Sequence, residues 1–241
     1  MHRRESLTYL LSLFSMAALA PAMASEAIRL VTINNVTSRV NALVLKDVYR
    51  RLGIELQILA MPPSRVTAMA TQGLADGEVN RILAYGDAHP TLIRIEPALN
   101  VWTVSAFYKV GSGPAPRSPA DLAGRDVGIV RGIKATADMS SASHVSVAPS
   151  SRELMLMLNG NRFEIALDGT PESEFYIRRL GLQGIASIEL NRYPLYHYLH
   201  EKHRNLVPVV AREIKKLADS GELKSLFDAA SATLRDSGEE P

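Results

Sequence analysis

Strand-like and helix-like segments alternate twice along this chain, and a Gly/Pro stretch separates the two runs. In the first run, residues 27–34 (AIRLVTIN) are rich in β-formers and read as a strand. Asn35 to Ser38 form a polar turn that supplies a helix N-cap. Val40, Leu43, Val44 and Val48 then recur at helical spacing, with Leu52 extending the stripe and Gly53 ending it. Residues 54–60 (IELQILA) read as a second strand. Pro62-Pro63-Ser64 opens a helix over 65–74, and residues 78–84 (EVNRILA) are a third strand. A β-α-β-α-β order demands right-handed crossovers and a parallel sheet.

Residues 100–109 predict a long strand, and Gly111-Ser112-Gly113-Pro114 with Pro116 and Pro119 is the most linker-like stretch of the chain. The second run follows. It has a short helical turn at 121–124, strands at 127–131, 145–148, 163–167 and 185–190, and helices at 134–141, 150–158 and 172–180. The C-terminal part reads as helical, over 194–203 and 209–234, with Gly221 interrupting the second stretch and a frayed tail over 236–241. Two such arrays predict an α/β chain of two lobes.

The N-terminus carries Arg3 and Arg4, an apolar run from Leu7 to Leu19, and Ala22-Met23-Ala24. That pattern predicts a secretory signal peptide over 1–24, placing the remainder in the periplasm. The apolar run is shorter than the ~20 residues of a spanning helix, so stable membrane insertion is not expected. The formal net charge of +2 supplies no strong field for nucleic acid or anionic lipid. With no cysteine, the chain has neither disulfides nor thiol chemistry, and stability must come from packing.

No Gly-x-Ser-x-Gly elbow and no phosphate-binding Gly-x-x-x-x-Gly-Lys loop occurs. His200-Glu201-Lys202-His203 is one residue too short for a His-Glu-x-x-His zinc motif, so His197, His200 and His203 read as solvated or helix-end residues. Glu172 and Glu174 read as a solvated helix start, where they complement the helix dipole. A catalytic set, a metal and a cofactor are therefore not expected.

Three local patterns bear on family. They are Pro63-Ser64-Arg65 with Met69 and then Gly73-x-x-Asp76-Gly77; residues 121–129 (DLAGRDVGI) followed by Gly132; and residues 163–168 (FEIALD), followed by a helix ending at Leu180-Gly181. In this order the chain resembles the family-3 bacterial extracellular solute-binding proteins, the amino-acid-type binders of ABC importers. The resemblance implies the two-lobed type II periplasmic-binding-protein fold, each lobe a mostly parallel sheet flanked by helices. Lobe one would comprise 26–108 plus 193–235 and lobe two 109–192, with crossing strands near 107–112 and 188–194. It implies capture of a small polar ligand, an amino acid or related amine or carboxylate, and delivery to a membrane permease. A sensory domain signalling to a membrane protein is the alternative, and an enzyme such as a dehydratase a more distant one. One segment departs from the family. Where amino-acid binders carry Thr-x-x-Arg to grip the ligand's α-carboxylate, this chain reads Tyr85-Gly86-Asp87-Ala88-His89-Pro90.

In open α/β sheets ligands sit beyond the carboxyl ends of the strands, and that rule selects candidates. Asn34 and Asn35 follow the first strand and offer donors and acceptors. Arg65 follows the second. Arg81 lies inside an apolar strand, where its guanidinium must find an ion-pair partner or face a wet cleft; the reading assigns it to the cleft. Tyr85 is the aromatic retained as a pocket wall, whereas Trp102, Phe107 and Tyr108 read as core. Arg131 and Gly132 precede a helix whose free N–H groups favour an anion. Asp168 ends a strand and could accept an ammonium, as the resembling position does in the family. The reading requires a wet gap between the halves. One continuous sheet, or Arg81 and Asp168 on remote faces, would contradict it.

Overall fold

The computed structural model describes residues 27–237. The expected leader over 1–24 and residues 238–241 lie outside the described residues. β1 (Ile28–Ile33) lies between β2 (Leu56–Met61) and β3 (Gly77–Ile82) and pairs with both in parallel. β6 (Asp126–Val130) likewise lies between β7 (His144–Ala148) and β8 (Ile165–Gly169), again in parallel. Two long strands join these triplets. β5 (Asn100–Lys109) and β9 (Ile185–His200) run antiparallel, β9 pairing with β3 and β5 with β8.

Hydrogen bonding is therefore unbroken along the order β2-β1-β3-β9-β5-β8-β6-β7, with β4 (Leu92–Arg94) added against β9. The expectation of two sheets parted by a gap is corrected in this respect. Among the described residues continuity passes only through β5 and β9, and neither parallel triplet pairs with the other. The β5–β9 register shifts between Val104 and Ser105, opposite Asn191 and Glu189. Such a bulge bends the strands locally.

Local chemistry explains the helices. The Asn35 side chain accepts from the Ser38 N–H (2.8 Å) and starts α1 (Val36–Arg51), and Gly53 takes the left-handed φ of 70° beyond its end. Val36, Val40, Val44 and Val48 put one α1 face into the core, where α8 (Glu222–Ser237) packs on it. α2 (Pro63–Thr71) opens on proline. α4 (Lys134–Met139), α5 (Ser151–Asn159) and α6 (Thr170–Arg179) flank the second triplet, and Gly221 (φ 77°) separates α7 (Val207–Asp219) from α8. The helix α8 runs on through Asp236 and Ser237, which were expected to belong to the frayed tail. Buried apolar side chains form a large cluster around α1 and two smaller ones, one around Val104 and Ile165 and one around Val31 and Tyr198.

The largest departure from the sequence reading is 194–203. Instead of a helix, Pro194 to His200 complete the 16-residue β9, bonded to β3, β4 and β5. A short 3₁₀ turn follows at Glu201–His203. The expected strand over 78–84 stops at Ile82, and α3 (Leu83–Ala88) takes over.

Candidate functional site

A cavity of about 480 Å³ opens beside the crossing strands. Its walls come from the carboxyl ends of five strands, two from the first parallel triplet and three from the second. β1 delivers Ile33, Asn34 and Asn35; β2 delivers Ala60 and Met61; β6 delivers Val130 and Arg131; β7 leads into Pro149 and Ser150; and β8 supplies Asp168. This is the place where open α/β sheets present unpaired main-chain groups and loops to a guest.

Two carboxylates form its floor. Asp168 and Glu172 are each only 3% exposed. Asp168 accepts from the Ser173 Oγ–H (2.9 Å), and the Ser151 hydroxyl and Gly169 N–H are also directed at it. Burial, and then the neighbouring Glu172 charge, push its carboxyl up to about 7. Glu172 spans the two sides. Its Oε1 accepts from the Thr37 N–H at the start of α1 (2.9 Å), and its Oε2 from the Trp102 Nε1–H (3.3 Å). Residue 169 has to be glycine for this approach. A Cβ there would stand 2.1 Å from Glu172 Oε2 and 2.3 Å from Trp102 Nε1.

Of the residues selected from sequence, Asn34, Asn35, Arg131 and Asp168 line the cavity, whereas Arg65, Arg81, Tyr85 and Gly132 do not. Asn35 spends its side-chain oxygen on capping α1. Gly132 has φ 83°, and a Cβ there would lie 3.7 Å from Pro63 Cγ, so it faces α2 across the divide. The helix after it, α4, is too short to make an anion site of its N-terminus. Arg65 is exposed on the first turn of α2.

Arg81 is the clearest correction among them. Its Nε is ion-paired with Glu78, whose side chain is 1% exposed, and its guanidinium lies 4.7 Å from the centre of the Tyr85 ring. Tyr85 in turn donates its hydroxyl to Glu78 and lies 3.1 Å from Thr67 Oγ1. A structural ion pair thus accounts for the arginine, and its buried Nη2 has no partner among the described residues. Burial and Glu78 hold the Tyr85 hydroxyl above the usual phenol range. Trp102, read as core, lines the cavity instead of Tyr85.

The histidines and Glu172 also differ from the sequence reading. His197 is fully buried on β9, with Nδ1 2.7 Å from the Glu78 carbonyl and Nε2 2.8 Å from the Tyr49 hydroxyl. A carbonyl only accepts, so Nδ1 carries the proton and Nε2 receives the Tyr49 O–H. Burial lowers its pKa to about 4. His203 and Lys202 both face Asp76, which is held down at about 2 despite partial burial by Lys202, the Arg29 N–H and His203. Among the described residues no group of three metal-ligating side chains occurs. Glu172 escaped the sequence reading because an acid in a helix's first turn carries no mark of what stands opposite. The adjoining Gly169-Thr170-Pro171 turn was its only local signal.

No family model matches the chain. An uncharacterized protein of Shewanella oneidensis is 25% identical over 213 residues, spanning 82% of this chain and 78% of its own length. Among solved structures, the GluR0 ligand-binding core in complex with L-glutamate superposes with a TM-score of 0.75 at 14% identity, covering 86% of this chain and 98% of that one. The amino acid ABC transporter substrate-binding protein AbpA of Streptococcus pneumoniae, bound to L-arginine, gives 0.70 at 17% identity, over 86% and 94%. A histidine kinase sensor domain with similarity to periplasmic binding proteins gives 0.73 at 13%, over 85% and 95%. These likenesses establish the fold: an α/β chain with the architecture of two-lobed periplasmic binding proteins. Among the described residues no helix is long and apolar enough to cross a membrane.

Proposed function

We propose that this protein is a non-catalytic, family-3-type receptor that works outside the inner membrane and traps a small polar ligand in the cavity between its two halves. One observation carries the reading: β1 and β2 from one triplet and β6, β7 and β8 from the other all end at the same cavity. Contacts made to a guest from both sides exist in full only when the sides approach, so the ligand favours the approached state. A micromolar Kd corresponds to about −8 kcal/mol. A few charge-assisted hydrogen bonds at ~1.5–3 kcal/mol each, offset by ordering costs, reach that range.

The loaded form would then dock on a membrane partner. The likeness to AbpA supports the permease of an ABC-type importer, and the likeness to a kinase sensor domain supports a signalling partner as the second reading. Thermal-shift screening of the chain lacking residues 1–24 against amino acids, amines and small carboxylates tests the receptor reading. A stabilising ligand that also lowers the radius of gyration in solution scattering is the expected result. A broad library with no such ligand speaks against it. Crosslinking in the native host separates the partners: a permease supports transport, a kinase or cyclase supports signalling.

A further inference from the structure

Buried acids outnumber bases in the described walls of the cavity. Asp168 and Glu172 are both buried there, and neither forms an ion pair among the described residues. Arg131 is the single basic residue among the described residues of the lining, and it stands exposed at the rim. Apart from Arg131, the groups nearby that could grip an anion are largely committed. The Thr37 N–H at the start of α1 holds Glu172, and the Ser38 N–H holds Asn35. Arg81 is bound to Glu78, outside the cavity.

Carboxylates removed from water without a countercharge are costly, and a guest cation placed among them recovers that cost. A guest carboxylate would add further negative charge beside Glu172 and the raised Asp168 carboxyl in the same small space. Part of the remaining wall suits an apolar body, since Trp102, Pro62, Val130 and Ile133 line the cavity beside the polar Asn34 and Ser150. The Trp102 indole touches Glu172, and an aromatic face attracts a cation held next to it.

From these observations we infer that the cavity takes an organic ammonium ion with an apolar body and no carboxylate, its charge held by Asp168 and Glu172. The inference rests on the cavity's being the binding site and narrows what that site accepts. Asp168 and Glu172 come from one strand–helix turn, while Thr37 and Trp102 hold Glu172 from the other elements. The acid pair is thus fixed before a ligand arrives.

Isothermal titration of the wild-type chain lacking residues 1–24 tests it with two matched sets of probes. One set is 2-phenylethylamine, L-phenylalanine and 3-phenylpropanoate; the other is n-butylamine, L-norvaline and pentanoate. Within each set only the charged ends differ. The expected result is that the amine of at least one set binds tenfold or more tighter than its amino acid and its acid. Glu172→Gln, which can still accept from Thr37, should then weaken that amine tenfold or more, and Asp168→Asn likewise. Tighter binding of an amino acid or an acid by the wild type overturns the inference and leaves a receptor of another specificity. Amine binding unchanged in both variants overturns the assignment to this acid pair. No binding of any of the six overturns the inference, and the broad-library screen then decides separately whether the protein is a receptor at all. The wild-type ranking stands even if a variant fails to fold, which circular dichroism would reveal.

Discussion

Two buried carboxylate sites flank the crossing of β5 and β9, and they are built on opposite plans. Glu78 is enclosed with its own countercharge: Arg81 pairs with it, Tyr85 donates to it and also packs against the guanidinium, and the main chain of the same residue anchors His197. Asp168 and Glu172 are as deeply buried, but among the described residues their donors are neutral ones, including Ser173, Ser151, Thr37 and Trp102. The first site is complete and faces the core. The second is open to a cavity and incomplete in charge. A compensated acid organises the fold, whereas an uncompensated one beside a void is poised for a guest.

Variants can break that contrast, and the largest effect belongs to the complete site. Arg81→Met should lower stability by about 3 kcal/mol in urea unfolding, because it strands the Glu78 charge. Combined with Glu78→Gln, the loss should fall below about 1.5 kcal/mol, since the double change removes the charge as well. At the incomplete site the largest effect is steric. Gly169→Ala drives a methyl group into Glu172 and Trp102 and should cost about 2 kcal/mol, with weakened ligand affinity read by titration.

The pH response separates the sites by sign. Asp168 keeps its proton in the folded chain up to about 7, whereas the unfolded chain releases it near ~3.9. Between those values the folded state binds more protons, so this group's contribution makes stability fall as pH rises from about 4 to about 7. His197 acts in the opposite sense. Held down at about 4 against ~6.5 unfolded, it makes stability fall as pH drops through that window. The two slopes oppose each other in the wild type. Asp168→Asn should therefore gain more than about 1 kcal/mol relative to wild type on going from pH 5 to pH 8, measured as paired urea midpoints. Equal differences at both pH values would place Asp168 in an ordinary solvated setting. Trp102→Phe is the mildest change. It removes one long hydrogen bond to Glu172 and should cost about 0.5 kcal/mol in the same assay.

The contrast also marks how far the sequence could be read. β1, the Asn35 cap, the valine stripe of α1 and the glycine stop at Gly53 were legible because each is specified within a few residues. The rule that ligands sit at strand ends pointed to Asn34, Arg131 and Asp168, which line the cavity, for the same local reason. The strand over Pro194 to His200 was not legible. Proline argues against a central strand, and the spacing of Leu195, Tyr198 and Leu199 suits a helix. Its identity is fixed by partners about a hundred residues earlier, at β3, β4 and β5. Arg81 was correctly seen to need an answer within an apolar strand. That answer stood three residues away at Glu78, and a β-bulge between them lets the two side chains meet. Glu172 and Trp102 were misread because their roles depend on each other and on Thr37, which approach only in the folded chain.

The ladder between β5 and β9 restricts how the two triplets can move. Ten residues of β5 are bonded to β9, with one interruption at Val104/Ser105. Sliding one strand along the other would rupture rungs all the way down, while flexing at the interruption spares them. The molecule is thus built as a leaf spring with a single fold line, and Glu172 reaching Thr37 acts as the clasp that holds its arms together.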